Sequence, residues 1–191
     1  MGAAILTNLV EKAKARGLTE ENVARLATED GEGLLEKVAD LLALEMGSAI
    51  RTTFSVAIDY TQSLAAMIKA GHYNWVNSDI TEQHFPITPG PKDVSFELVH
   101  FDRLMYTDAV LAELEKRGVR PATLPELLAF GAKYPEKQRE FSVVALASVW
   151  RHWQSSLCAP SLWGRADGRL LLLDWLDRGW GARCRFAAVR K

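Results

Sequence analysis

Apolar residues recur every three or four positions as far as residue 47 and every second position from residue 54. A chain that changes period in this way must build helices first and then at least one sheet. Upstream, Ile5, Leu6, Leu9, Val10 and Ala13 follow helical spacing until Gly17. Thr19 is placed as an N-cap, with Glu20 and Glu21 on the positive end of the next helix dipole. After the Asp30-Gly31 turn, Leu34, Leu35, Val38, Leu41 and Leu42 form an apolar strip that ends near Gly47. Such a strip needs a partner surface, either the main domain or another copy of the chain.

Beyond residue 52, Phe54, Val56, Ile58 and Tyr60 alternate with polar or small residues, the pattern of a half-buried strand. Leu64, Ala65, Met67 and Ile68 predict a helix closed by Gly71, and residues 72–93 a long polar connection broken by prolines. Val94 to Phe101 alternates as a strand, and Thr107 is placed to cap a helix that stops at Gly118. Thr123-x-x-Glu126 with Pro125 reads as a capping box for a helix ending before Tyr134-Pro135. The apolar run Phe141 to Val149 predicts a buried strand. After Trp150, Gly164, Gly168, Gly179 and Gly181 suggest a tail of long loops. Two strands are expected in it, around Leu171, Leu173 and Trp175 and around Phe186 and Ala188. No strict βαβ rhythm emerges, so the fold class is α+β.

The chemistry of many enzymes is missing. GxGxxG, P-loop, GxSxG and HExxH patterns are absent, and His72, His84, His100 and His152 lack ligand spacing. Asp79 and Glu82 read as solvated loop carboxylates, as do Asp174 and Asp177, although the latter pair could seat a cation. No metal site and no cofactor are expected. A net charge of −1 gives no case for nucleic acid. Arg151, Arg165, Arg169, Arg178, Arg183, Arg185 and Arg190 are interleaved with aspartates, which predicts a mixed polar surface. The first residues lack the pattern of a secretory signal, and no apolar run has membrane-spanning length. The default expectation is a cytoplasmic chain, or one displayed by a non-classical route. Cys158 and Cys184 read as free thiols.

The last 42 residues follow different rules from the rest. Five of the six tryptophans lie there, with no glutamate and no lysine before Lys191. Trp and Arg are the side chains most often found as anchors in binding sites, which directs attention to this segment.

Three strings carry a resemblance: DYTQSLAAMIKAGHYNWVNSDITEQHFP (59–86), GVRPATLPELLAFGAKYPEKQREFSVVALASVW (118–150) and WGARCRFAAVRK (180–191). Together they resemble the variable proteins of diversity-generating retroelements, whose main domain has the C-type-lectin fold related to formylglycine-generating enzymes. The resemblance covers residues 52–191 and leaves 1–50 outside. It implies that a reverse transcriptase copies a template with errors at adenines, turning AAY codons into NNY. Such codons cannot encode Trp, Lys, Glu, Gln or Met, which fits the missing Lys, Glu and Met between Trp150 and Arg190. On this implication Trp150, Trp153, Trp163, Trp175 and Trp180 are scaffold or fixed contacts, as is Gln154. The candidate variable, ligand-binding positions are Arg151, His152, Ser155, Ser156, Leu157, Ser161, Arg165, Asp167, Leu170, Leu172, Asp174, Asp177, Arg178, Gly179, Ala182 and Arg183, with Cys158 and Cys184 also compatible with the codon rule. Pro160, Leu162 and Phe186 are assigned to scaffold.

The strand around Trp175 gives the idea a physical form. Leu171, Leu173 and Trp175 would face the core, and Leu170, Leu172 and Asp174 would point outward. Outward leucines suit a binding surface better than a solvated one; a strand buried on both faces is the alternative. The expected organisation is a helical extension over 1–50 and a C-type-lectin-like domain over 51–191, with mixed or antiparallel strands and a variable region at 150–191. The expected function is binding of an unknown ligand, a protein epitope first, through a broad and shallow site. The N-terminal helices are candidates for homo-oligomer contacts. The EPN and WND sugar motifs of lectins are missing. Two other classes stay open: a metal-dependent oxidase-like relative using Cys158 and Cys184, and a structural or assembly protein working through its N-terminal helices.

Overall fold

The computed structural model describes residues 53–153, 156–165 and 168–191, together with residues 11, 12, 14, 15, 17 and 19. The chain divides into two units, Met1–Ile50 and Arg51–Lys191. In the first, Glu11, Lys12 and Lys14 have helical backbone, and Gly17 follows at φ +88° with its amide donating to the Lys14 carbonyl at 2.9 Å. Glycine reaches that left-handed conformation without a Cβ penalty, so the expected stop at Gly17 is present. The remaining helical expectations for residues 3–47 lie outside the described residues.

The second unit is mixed α and β, rich in strand. In chain order it contains β1 (Thr53–Ala57), α1 (Leu64–Ala70), β2 (Trp75–Val76), β3 (Asp93–His100), α2 (Thr107–Lys116), β4 (Val119–Pro121) and α3 (Leu124–Lys133). It continues with α4 (Lys137–Glu140), β5 (Ser142–Val144), β6 (Trp150–Arg151), β7 (Leu157–Arg165), β8 (Gly168–Trp175) and β9 (Cys184–Arg190). One sheet runs β1-β3-β9-β5-β7-β8-β2, with β4 added to β9 and β6 to β7. The β5–β9 and β2–β8 pairs are parallel and the others antiparallel.

Side chains alternate across this sheet, and each face buries its own core. On the first face Phe96, Val143, Leu162, Leu171 and Ala187 pack with Leu64 and Met67 of α1 and with Leu127, Leu128 and Phe130 of α3. Phe96 and Phe130 stack with ring centroids 4.5 Å apart. On the second face Val99, Val144, Ala159, Phe186 and Ala188 pack with Val110 and Leu114 of α2, and with Met105 and Trp180. Pro160, Leu162 and Phe186 are buried.

Local chemistry explains the helix starts. Glu126 is 1% exposed, and its carboxylate accepts the Thr123 amide (2.8 Å) and hydroxyl (3.0 Å). Arg120 closes the arrangement with both terminal nitrogens on the same carboxylate, a geometry that suits a guanidinium fork. Thr107 is not a cap: Tyr106 holds that position, and the Thr107 hydroxyl instead donates to the Leu176 carbonyl at 2.8 Å.

Several other expectations are corrected. The run 141–149 yields only a three-residue strand. Beyond it the Ala147 amide donates to the Ala122 carbonyl, and Ser148 Oγ accepts the Leu124 amide at the start of α3. The apolar run therefore leaves the ladder to hold a helix end. The polar connection contains β2, which pairs with β8. The tail is not loop-rich, since β7, β8 and β9 occupy most of it.

Candidate functional site

The register of β6, β7 and β8 sorts the candidate residues by face. Arg151 pairs with Leu157, Ser161 with Leu172, Trp163 with Leu170, and Ala159 with Asp174. Cross-strand partners and alternate residues share a face. Arg151, Leu157, Ser161, Arg165, Leu170, Leu172 and Asp174 therefore lie on the same face as Trp163, the second one. There α2 covers the β9–β5 side through Val110 and Leu114. Leu157, Leu170 and Leu172 are half-buried, Arg165 is exposed, and Ser161 is fully buried. Ser161 therefore does not face solvent. Leu171 is buried in the first core with Leu173 packed against it, whereas Trp175 belongs to neither core.

Asp174 anchors this face. Its Oδ2 accepts the Ser161 hydroxyl at 2.6 Å and the Trp163 indole N–H at 2.9 Å. Asp174 is thus a strand residue cross-linking β7 and β8 rather than a solvated loop carboxylate. Asp177, in the connection after β8, is exposed.

The connection from β8 to β9 is fastened through its backbone and one indole. The Leu176 amide donates to Leu157 O (2.9 Å), and Met105 and Trp180 exchange backbone hydrogen bonds at 3.0 and 2.7 Å. Trp180, 5% exposed, donates its indole N–H to Thr107 Oγ1 at 3.0 Å and meets Phe186 edge-on. The Ala182 carbonyl accepts from His100 Nε2 at 2.9 Å and from Arg185 at 3.0 Å. Arg178, Gly179 and Arg183 remain exposed on this fixed path.

Between the connection, the strand ends and α4 lies a recess of about 620 Å³. Trp163, Trp175, Trp180, Arg165, Asp174, Arg178, Gly179, Ala182, Arg183 and Cys184 all line it. The expected shallow surface thus contains a concavity within the usual size range of ligand pockets. Gln138, Arg139, Phe141 and Ser142 complete the wall, and sequence reasoning missed them. Gly164 brings them in: a Cβ there would come within 2.3 Å of the Gln138 carbonyl oxygen and 2.5 Å of Arg139 Cα. An isolated glycine inside a strand is the available signal for such a close approach.

Beyond Trp175 the surface continues as an aromatic group. His152 meets Trp175 edge-on at 5.0 Å and lies 5.2 Å from Trp153, which is 79% exposed. Trp150 stacks on His84 at 4.1 Å and packs against the first core. Trp150 and Trp180 thus serve the interior, whereas Trp163 and Trp175 line the recess and Trp153 stands in solvent. Ser156 is half-buried beside this group, and its carbonyl accepts the His152 amide. Ser155 and Asp167 lie outside the described residues.

Arg169 is no part of a polar surface. It is 7% exposed, donates to Gln138 Oε1 and to the Gly71 and Gly131 carbonyls, and lies over the Tyr73 ring. Burial lowers its affinity for a proton. Glu82 likewise has a structural partner, accepting the Leu64 amide at 2.9 Å.

Both cysteines are free. Burial, with help from Asp79, pushes the Cys158 thiol up to about 11, and burial also raises Cys184. Cys158 pairs with Trp175 at one end of β7, whereas Cys184 pairs with Ser142 across β5. With β5 between them, the backbones of β7 and β9 lie about 10 Å apart, and the register offsets Cys158 from Cys184 along the strands as well. That separation does not suit a shared metal. Among the described residues no group of three or more His, Cys, Asp or Glu is placed to hold an ion, and no helix is long and apolar enough to cross a membrane.

Compared with protein-family models, curated proteins and solved structures, the chain finds no match.

Proposed function

We propose that this chain is a ligand-binding protein with a C-type-lectin-like domain, whose β7–β8 face and β8–β9 connection carry a site diversified by retroelement mutagenesis. A protein epitope is the ligand expected first. One observation supports this reading: the candidate exchangeable residues Arg165, Arg178, Gly179, Ala182 and Arg183 are exposed around one recess, on a path fastened largely by backbone hydrogen bonds and by Trp180. Trp180 ties the connection to α2 through Thr107. A frame fastened by backbone hydrogen bonds tolerates side-chain exchange, because surface substitutions away from buried contacts usually change stability by less than about 0.5 kcal/mol.

The test is to sequence the DNA flanking the gene. A near-copy of the codons for residues 150–191, mismatched only at adenines and beside a reverse transcriptase gene, is the expected result. An intact flanking region with no such copy overturns diversification. The oxidase-like alternative draws no support from the separated, proton-retaining thiols of Cys158 and Cys184.

A further inference from the structure

Among the described residues, the recess is lined by four guanidinium groups and one carboxylate. Arg165, Arg178 and Arg183 are exposed on its rim, and none makes an ion pair or hydrogen bond with a described residue. Arg139 adds a fourth guanidinium, held by the exposed Glu136 at 3.2 Å. Among the described residues the lining contains one carboxylate, Asp174, whose Oδ2 is engaged by Ser161 and Trp163. We infer that the recess takes an acidic segment of a protein partner, with carboxylates on the arginines and an apolar side chain against Trp163.

The physical grounds are charge complementarity and shape. Like charges around a concavity with low-dielectric walls focus a positive potential into it. A guanidinium offers a carboxylate two parallel hydrogen bonds, and an indole supplies apolar contact beside them. A nucleic acid would instead need cations tracking along the surface. Here they ring one recess of about 620 Å³ on a chain of net charge −1. The inference rests on the reading above only in taking this recess as the ligand site.

The experiment titrates the full chain with the blocked pentapeptide Glu-Glu-Leu-Glu-Glu and follows tryptophan fluorescence. Saturable binding is expected, weakened at least about fivefold between 50 and 300 mM NaCl by screening, with no response to the lysine counterpart. The double variant Arg178→Ser/Arg183→Ser should bind at least about tenfold more weakly, and Lys92→Ser, away from the recess, should bind as before. Circular dichroism confirms that each variant is folded. No saturable response, or full binding by the folded double variant, overturns the inference. Equal binding of a ten-nucleotide oligothymidylate, or competition by millimolar inorganic phosphate, also overturns it in favour of a general anion site. The flanking-DNA result is independent. A template without peptide binding removes only the ligand class, and peptide binding without a template leaves a fixed acidic-peptide site.

Discussion

The two faces of the sheet use the same strands to opposite ends. On the first face Leu162 and Leu171 are both fully buried beneath the helical layer. On the second, their neighbours Trp163, Leu170 and Leu172 are only half-buried, and Arg165 is exposed. Backing a surface with a packed layer lets it carry apolar and charged side chains that contribute little to stability themselves. Rigid support of this kind would keep the proposed binding site in one geometry while its side chains are exchanged.

The sharpest way to break this contrast is to hollow the first face. Phe130→Ala should lower the unfolding free energy by about 3–5 kcal/mol in urea titrations, because the ring is fully buried against Phe96. A loss below about 1 kcal/mol would mean that the first face is not the supporting layer. Next comes the link within the second face. Asp174→Asn weakens the charged acceptor for Ser161 and Trp163 and should cost about 1.5–3 kcal/mol, with a change in Trp163 emission. Trp180→Phe keeps most of the packing but removes the bond to Thr107. A cost of about 0.5–1.5 kcal/mol, with faster amide exchange in residues 176–183, is expected. The smallest effect belongs to the rim, where Arg178→Ser should shift stability by less than about 0.5 kcal/mol. A larger loss would place Arg178 in the frame.

A pH titration sharpens the same comparison from the first-face side. Cys158 is 1% exposed, and burial pushes its thiol up to about 11, above the ordinary range of roughly 8.5. The unfolded chain releases this proton first. The stabilisation is therefore complete below the unfolded pKa and is lost as pH rises through about 11. Wild type should lose stability over that window relative to Cys158→Ala, and native Cys158 should resist iodoacetamide at pH 8. Rapid alkylation at Cys158 itself in a folded Cys184→Ser background would show that the β7 end is open.

Legibility in the sequence followed locality. The Thr123–Glu126 box and the alternation of Phe54 and Val56 involve near neighbours, and both appear as read. β7 was not legible because it contains Pro160 and Gly164, which ordinarily argue against a central strand. Pro160 is accommodated just beyond the end of β5, where its carbonyl accepts the Ala145 amide at 3.0 Å. That Leu170, Leu172 and Asp174 share a face could be read from period alone. Gln138 and Arg139 could not, because only the close approach at Gly164 brings α4 to the recess. Arg169 reads as surface because aspartates are interleaved with the late arginines, yet in the fold it is held by three carbonyl or amide oxygens from distant segments.

The place of β9 between β3 and β5 bears on how the domain reaches its native state. Phe96 must find Val189, a closure across a long stretch of chain, and pairings of that kind set slow folding rates. The β7–β8 hairpin, joined at Arg165 and Gly168, is a local contact that can assemble early. Side chains exchanged on the hairpin's open face would then leave the slow search to Phe186, Ala187, Ala188 and Val189. On the proposed function, a new specificity would then not mean a new folding problem.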